Sequence, residues 1–434
     1  MFLMFIAFGV GALAQEVCDS SLLLPKEKLK VWQNAKFGLF IHWGIYSIQG
    51  RGEWALFNEQ QNVDEYAKLK DQFTAEKFNA DEWVRIAREA GCRYMVMTAK
   101  HHDGFALFDS KADTFNSMHT PAKRDFIKEY TDACHRAGML TGIYYSPLDW
   151  RFPGFFFPNM YRSSAEEMKR HTYIQVRELM SNYGKIDVLW YDGGGNDWLG
   201  LGGLEFGKNG WYTRPKNKPY TGSFNWDPIR LNRMVRGLQS SVAINPRSGW
   251  MGDFDTQEVK IRDNDIRKNR PWEYCTMLAG VWGWTRNSHK IMSADSCVRT
   301  LASVVCRGGN MLLNVGPNGS GEIEPDQVVR LKEIGAWLKI NGESIYDTEE
   351  GPFDFSKAWG GSTQTDKNVY LHIIRMPFGG ILVLPPALTK KIKSVVAVAS
   401  GRKAAFRQTK EALCIEGLDQ IPYQYDLVLK INFK

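Results

Sequence analysis

Five short apolar runs of this chain end in side chains able to do chemistry. FGLFIHWG closes on His42-Trp43, and YMVMTAK runs into Lys100-His101-His102-Asp103. LTGIYYS ends in Tyr144-Tyr145-Ser146, IDVLWYD in Trp190-Tyr191-Asp192, and VAINPR in Asn245-Pro246-Arg247. One polar ending means little, but five of them converging on one rim are hard to assign to stability. A metal centre is the first chemistry to test, because His42, His101, His102 and Asp192 are ligand types found in barrel metallohydrolases. Neighbouring residues on a strand face opposite ways, so His101 and His102 share an ion only if the strand ends between them. The first strand carries no HxH pair. The metal reading is therefore set aside, and no cofactor is implied.

Sugar chemistry suits the same residues better. A sugar ring needs aromatic faces and side chains that donate and accept around its hydroxyls. Trp43, Trp54, Tyr144, Tyr145, Trp190, Trp282 and Trp284 supply the faces, although a bulky core accounts equally well for any one tryptophan alone. His42, Glu53, His101, His102 and Arg247 supply the polar groups. Cleaving a glycoside then takes two carboxyls, one ionised and one able to give a proton. Asp192 suits the first role: it ends a strand and is followed by three glycines that let the chain turn and a substrate approach. GDFDTQE (252–258) and PWEYC (271–275), both downstream of the VAINPR run, supply candidates for the second.

These residues need a frame. The runs named above, with NMLLNVGP (310–317), are apolar on both parities, the mark of strands buried on both faces as in parallel sheets. Between them lie helical patterns at 81–91, 124–138, 164–184, 294–309 and 325–342, several closing on glycine. Strand–helix units repeating from residue 30 to 345 predict an α/β fold, a (β/α)8-type barrel of irregular form. No glycine-rich phosphate fingerprint follows the first strand, which weakens a nucleotide-binding alternative. Beyond residue 347 only short strand-like runs remain, predicting a small C-terminal antiparallel β-sandwich over 347–434 after a catalytic barrel over 22–346. The segment 196–228 reads as a long loop, of a length usually reserved for function.

Composition excludes other classes. With 434 residues, 44% hydrophobic and 24% charged, the chain has material for a large core and is not a disordered protein. Its formal charge of +7 comes without a basic, aromatic-interleaved run, so nucleic acid is not an expected partner. Residues 1–14, an apolar run ending Ala12-Leu13-Ala14, read as a signal peptide, too short for a confident membrane span. Export is the expectation: periplasmic or secreted, or lysosomal in a eukaryote. Seven scattered cysteines (18, 92, 134, 275, 297, 306, 414) have no metal-finger spacing and read mostly as small core residues. The sequence names no disulfide pairs.

The motifs FGLFIHWGIYSI with GEW, MTAKHHDGFALFDS, GIYYSPLDW, LWYDGG, WEYCTM…WGW and LLNVGPNGSGEI…GAWLKINGESIY resemble the family 29 glycoside hydrolases, the α-L-fucosidases. The match runs in order from about residue 30 to 347. It implies a barrel-plus-sandwich enzyme that hydrolyses terminal α-L-fucosyl residues of oligosaccharides or glycoconjugates with retention, by double displacement. Asp192 falls at the family's nucleophile. His42, Glu53, Trp54, His101, His102, Tyr145, Trp190, Arg247 and Trp282 fall in its sugar pocket. Glu258, expected on the loop after the sixth strand, is the favoured acid/base, and Glu273 is the alternative. Two departures stand out: Gln257 replaces a common proline, and INPRSG replaces a commoner NDRxG, keeping Arg247 but not the acid before it. A catalytically silent fucose-binding homologue is the competing reading, and its signature, a lost carboxyl, is absent.

Overall fold

The computed structural model describes residues 19–193, 205–206, 212–213, 224–267, 269–287 and 290–434. The expected signal peptide, Cys18 and most of the 196–228 segment lie outside the described residues.

Eight parallel strands form the first sheet: β1 (Phe37–Ile41), β2 (Tyr94–Lys100), β3 (Leu140–Tyr145), β4 (Val188–Tyr191), β5 (Ala243–Ile244), β6 (Asp255–Glu258), β7 (Trp272–Met277) and β8 (Asn310–Val315). Their order is β5-β4-β3-β2-β1-β8-β7-β6, so the first and last strands pair at the centre. β1 and β2 are buried along their whole length, as runs apolar on both parities require. The curled sheet is the irregular barrel the sequence predicts, left open between β5 and β6. Asp253 bridges that seam: its carboxylate accepts from the Leu24 amide (2.8 Å), the Ile244 amide (2.8 Å) and Arg236 (2.9 Å).

The longer helices are α1 (Lys26–Ala35), α2 (Ala80–Glu89), α3 (Phe126–Ala137), α4 (Arg162–Asn182), α5 (Pro228–Leu238), α6 (Ala294–Val305) and α7 (Pro325–Asn341). Their starts follow local chemistry. Asn79 caps α2 by accepting from the Glu82 amide, and Asp125 caps α3 by accepting from Lys128. α3 ends on Gly138 in the left-handed region at φ 66°. Each helix seats an apolar stripe, such as Trp83, Val84 and Ile86 of α2, at roughly 1.5–3 kcal/mol per large side chain buried.

Two segments differ from expectation. Residues 255–258, expected on a loop, form strand β6, and 272–277, given no element by the sequence, form strand β7. DTQE has no apolar run to announce a strand. It is an edge strand, bonded only to β7, and its residues are half-buried.

Eight antiparallel strands follow: β9 (Glu349–Glu350), β10 (Gly360–Gln364), β11 (Asn368–Ile373), β12 (Leu382–Leu384), β13 (Ile392–Ala397), β14 (Lys403–Gln408), β15 (Leu413–Glu416) and β16 (Leu427–Phe433). They run in the order β9-β10-β11-β16-β13-β14-β15-β12 and fold over a core of their own, including Leu371, Val395, Ile415 and Leu429. This sheet is tied to the barrel side: Tyr370 and Lys430 both bond Glu343, and Thr363 bonds the Ser344 carbonyl. The six described cysteines are free, five of them buried. No helix among the described residues is long and apolar enough to cross a membrane.

Candidate active site

A cavity of about 210 Å³ opens where the strands end, lined by Phe40, His42, Glu53, Trp54, His101, His102, Leu148, Trp190, Asp192, Gly193, Arg247, Glu258 and Trp282. That is below the ~300–1,000 Å³ of drug-sized sites and on the scale of one sugar ring. At its centre a single guanidinium joins two acids. Arg247 gives Nη1 to Asp192 Oδ1 at 2.9 Å and Nη2 to Glu258 Oε2 at 2.8 Å. Burial works against the Arg247 charge, but Asp192 and Glu258 outweigh it and push its pKa further up. Arg247 also lies over the Trp190 ring, 4.7 Å from its centroid.

Asp192 follows the last residue of β4, where the sheet hydrogen bonding stops. Its Oδ1 accepts from Arg247 and, at 3.0 Å, from the Gly193 amide. Its Oδ2 accepts from the Tyr144 hydroxyl at 2.8 Å and lies 3.5 Å from His102 Nε2. Gly193 leaves room here: a Cβ would sit 2.5 Å from Leu148 Cδ1 and push that side chain aside.

The three histidines are buried, and burial holds each below its ordinary range, His42 at about 4 and His101 and His102 well down. His42 Nδ1 lies 2.7 Å from Asn314 Oδ1. The Asn314 amide nitrogen donates to the Trp282 carbonyl at 2.8 Å, which fixes the amide's orientation. Nδ1 of His42 therefore carries the proton, and Nε2 is free to accept. His102 is set by Ser146 Oγ, 2.6 Å from its Nδ1. His101 stacks flat on Tyr144 (3°, 5.5 Å), and its buried Nδ1 has no hydrogen-bond partner among the described residues. Glu53, 7% exposed, accepts from the Gly283 amide at 2.7 Å, and burial raises its pKa.

One ligand atom each from His101, His102 and Asp192 lies within 4.8 Å of the others. The trio fits a metal poorly, because the Arg247 guanidinium already occupies Asp192 and would repel a cation beside it.

Not every expected residue faces the pocket. Tyr145 points the other way, its hydroxyl donating to Gln175 of α4 at 2.8 Å, while Tyr144 faces in. The alternation of a strand allows only one of two neighbours on each face. Trp43 is core, packed among Phe73, Phe78, Trp83 and Phe126. Trp284 packs over Gly50, away from the pocket. Glu273, second residue of β7, lies below the pocket with no exposed surface. It accepts from Trp190 Nε1 at 2.8 Å and Tyr94 at 2.6 Å, and burial pushes its pKa up to about 7. It does not line the cavity. Phe40, Leu148 and Asn314 carry no candidate role in the sequence reading. The one available signal was Asn314, a polar residue inside the apolar run MLLNV.

A parallel barrel-like sheet whose strand ends place Asp192 and Glu258, with Glu53, in an aromatic cavity is the framework of a glycoside hydrolase. The chain belongs to the alpha-L-fucosidase family, whose model matches residues 16–343. It is 30% identical to human plasma alpha-L-fucosidase over 396 residues, covering 83% of this chain and 79% of that one. Against rat tissue alpha-L-fucosidase it is 28% identical over 431 residues, 92% of this chain and 88% of the other. Among solved structures, alpha-L-fucosidase isoenzyme 1 from Paenibacillus thiaminolyticus superimposes with a TM-score of 0.80 at 31% identity, covering 94% of this chain and 99% of that one.

Proposed function

We propose that this chain is an exported, retaining α-L-fucosidase that removes terminal α-L-fucosyl residues from oligosaccharides or glycoconjugates. The observation that carries the reading is the shared guanidinium, which brings Asp192 and Glu258 to one cavity. Among the described residues, Oδ1 of Asp192 has two hydrogen-bond donors, whereas Oδ2 has only Tyr144 and keeps a lone pair. Oδ2 attacks the anomeric carbon as Glu258 protonates the departing oxygen, giving a covalent fucosyl-enzyme. Glu258 then takes a proton from water, which opens the ester with net retention.

Among the described residues, Asp192 and Glu258 share the pocket with one further carboxyl, Glu53. Because its Oε2 is already bound to Gly283, we assign Glu53 to ring hydroxyls rather than proton transfer. The open Nε2 of His42 and the unpartnered Nδ1 of His101 suit hydroxyl donors, and Trp54 and Trp282 supply apolar surface for the C6 methyl. A methyl pocket discriminates by only ~1–3 kcal/mol, so the hydroxyl contacts carry most selectivity. Export rests on residues 1–14 and on a relative named for plasma.

The test is hydrolysis of an aryl α-L-fucoside by wild type and Asp192→Asn, with the anomer first released followed by NMR. Loss of turnover, partial rescue by azide and initial release of the α anomer are expected. Full activity in Asp192→Asn would remove the nucleophile assignment, and saturable fucose binding without turnover in wild type would favour a silent binding protein.

A further inference from the structure

Glu258 ends an edge strand bonded only to β7, so the sheet steadies it from one side alone. The chain reverses immediately. The Lys260 amide donates to the Glu258 carbonyl at 2.6 Å across Val259, whose φ is 61°. This three-residue turn puts a β-branched residue in the left-handed region, a conformation it adopts at a cost. Val259 is 56% exposed, so packing of its side chain does little to offset that cost.

Other groups keep the turn in place. The Gln257 side chain closes the loop on itself: Oε1 accepts from the Arg262 amide at 2.7 Å, and Nε2 donates to the Arg262 carbonyl at 3.1 Å. The Tyr274 hydroxyl donates to the Val259 carbonyl at 2.8 Å, and the Val259 amide donates to the Cys275 carbonyl at 3.2 Å. Strain of this kind persists where surrounding structure over-determines it, and it clusters at functional sites.

We propose that the Gln257–Arg262 latch and the strained turn at Val259 form a positioning device that aims the Glu258 carboxyl at the leaving-group oxygen. Without the latch, Glu258 keeps its backbone pairing with β7, and the Arg247 contact draws its carboxylate toward Asp192. Gln257 and Val259 are positioning residues; neither lines the cavity. The inference rests on Glu258 being the acid/base.

The experiment compares kcat/KM on two substrates. A 2,4-dinitrophenyl α-L-fucoside expels its leaving group without a proton, whereas an α-L-fucosyl disaccharide needs one. For Gln257→Ala we expect a change within about twofold on the first and a loss of about tenfold on the second, a fraction of the ~10²–10⁴ that general acid catalysis supplies. Gln257→Glu, which keeps the acceptor and loses the donor, falls between. Val259→Gly, which lets the turn relax with Gln257 intact, shows the same selectivity at about threefold. Equal losses on both substrates, or none on either, in folded variants overturn the proposal. Glu258→Gln is run in parallel: if it lacks a large disaccharide-selective loss, the underlying assignment of Glu258 has failed instead.

Discussion

His102 and Asp192 face each other at 3.5 Å in the cavity, while His372 and Asp426 lie 2.7 Å apart where the C-terminal sheet meets the barrel. Both pairs are a histidine and an aspartate at strands of one sheet: β2 and β4, with β3 between them, for the first, and the directly paired β11 and β16 for the second. They differ in what else reaches the carboxylate. Asp192, 19% exposed, takes Tyr144, Arg247 and Gly193 and opens on a space that fits a ring. Asp426 and His372 have no exposed side-chain surface, and the histidine's other nitrogen lies near Ser344 and Thr363 at 3.3 Å. The same two residue types line an open cavity in one place and staple two layers together in the other. Access and competing donors decide which.

The sharpest way to break this comparison is to remove each carboxylate. Asp192→Asn is expected to lose about 10⁴-fold or more in kcat, as loss of a nucleophile does, with urea unfolding little changed. Arg247→Lys keeps the charge but cannot bridge two carboxylates through one planar fork, so kcat/KM on an aryl fucoside should fall about 10²-fold. Asp426→Ala should do the reverse of Asp192→Asn. Activity per folded molecule stays near wild type, while stability in urea falls by about 3 kcal/mol because His372 Nδ1 is left buried without its partner. Tyr144→Phe and Tyr145→Phe sharpen the contrast at the scale of one hydroxyl. The first removes a hydrogen bond to Asp192 and should cost roughly tenfold in kcat, and the second should leave kcat within about twofold.

A separate effect, on stability rather than rate, concerns Glu273. Burial raises its pKa from 4.5 to about 7, so the native protein keeps a proton that the unfolded chain releases. Its contribution is therefore complete below pH 4.5 and is lost as pH rises toward 7. Glu273→Gln cannot titrate. Its stability relative to wild type should rise by about 2 kcal/mol from pH 5 to pH 7 in parallel urea curves. The buried histidines act oppositely: His42, with its pKa brought down from 6.5 to about 4, opposes unfolding less as pH falls through that window in both proteins.

Much of the barrel was legible because strands buried on both faces must be apolar on both parities, as YMVMTAK is. The polar endings located the rim for the same reason: chemistry there interrupts an otherwise apolar run. What stayed hidden depends on register and depth. Tyr144 and Tyr145 are identical in type, and only the parity of β3 tells which one reaches Asp192. Glu273 reads as a rim acid until its place low on β7 is known. β6 escaped notice because an edge strand at a half-buried seam needs no hydrophobic pattern.

The seam between β5 and β6 has a consequence for the order of events during synthesis. Leu24 and Asp19 are among the first described residues, yet their partners are Asp253 and Trp250. Strand β1 likewise waits for β8, which ends at Val315, before its second edge is covered. A chain emerging from the ribosome at ~5–20 residues per second therefore holds that strand half-paired for on the order of ten seconds or more. During that interval β1 can recruit a wrong edge, so the chain's vulnerability to aggregation is concentrated before its last parallel strand is made.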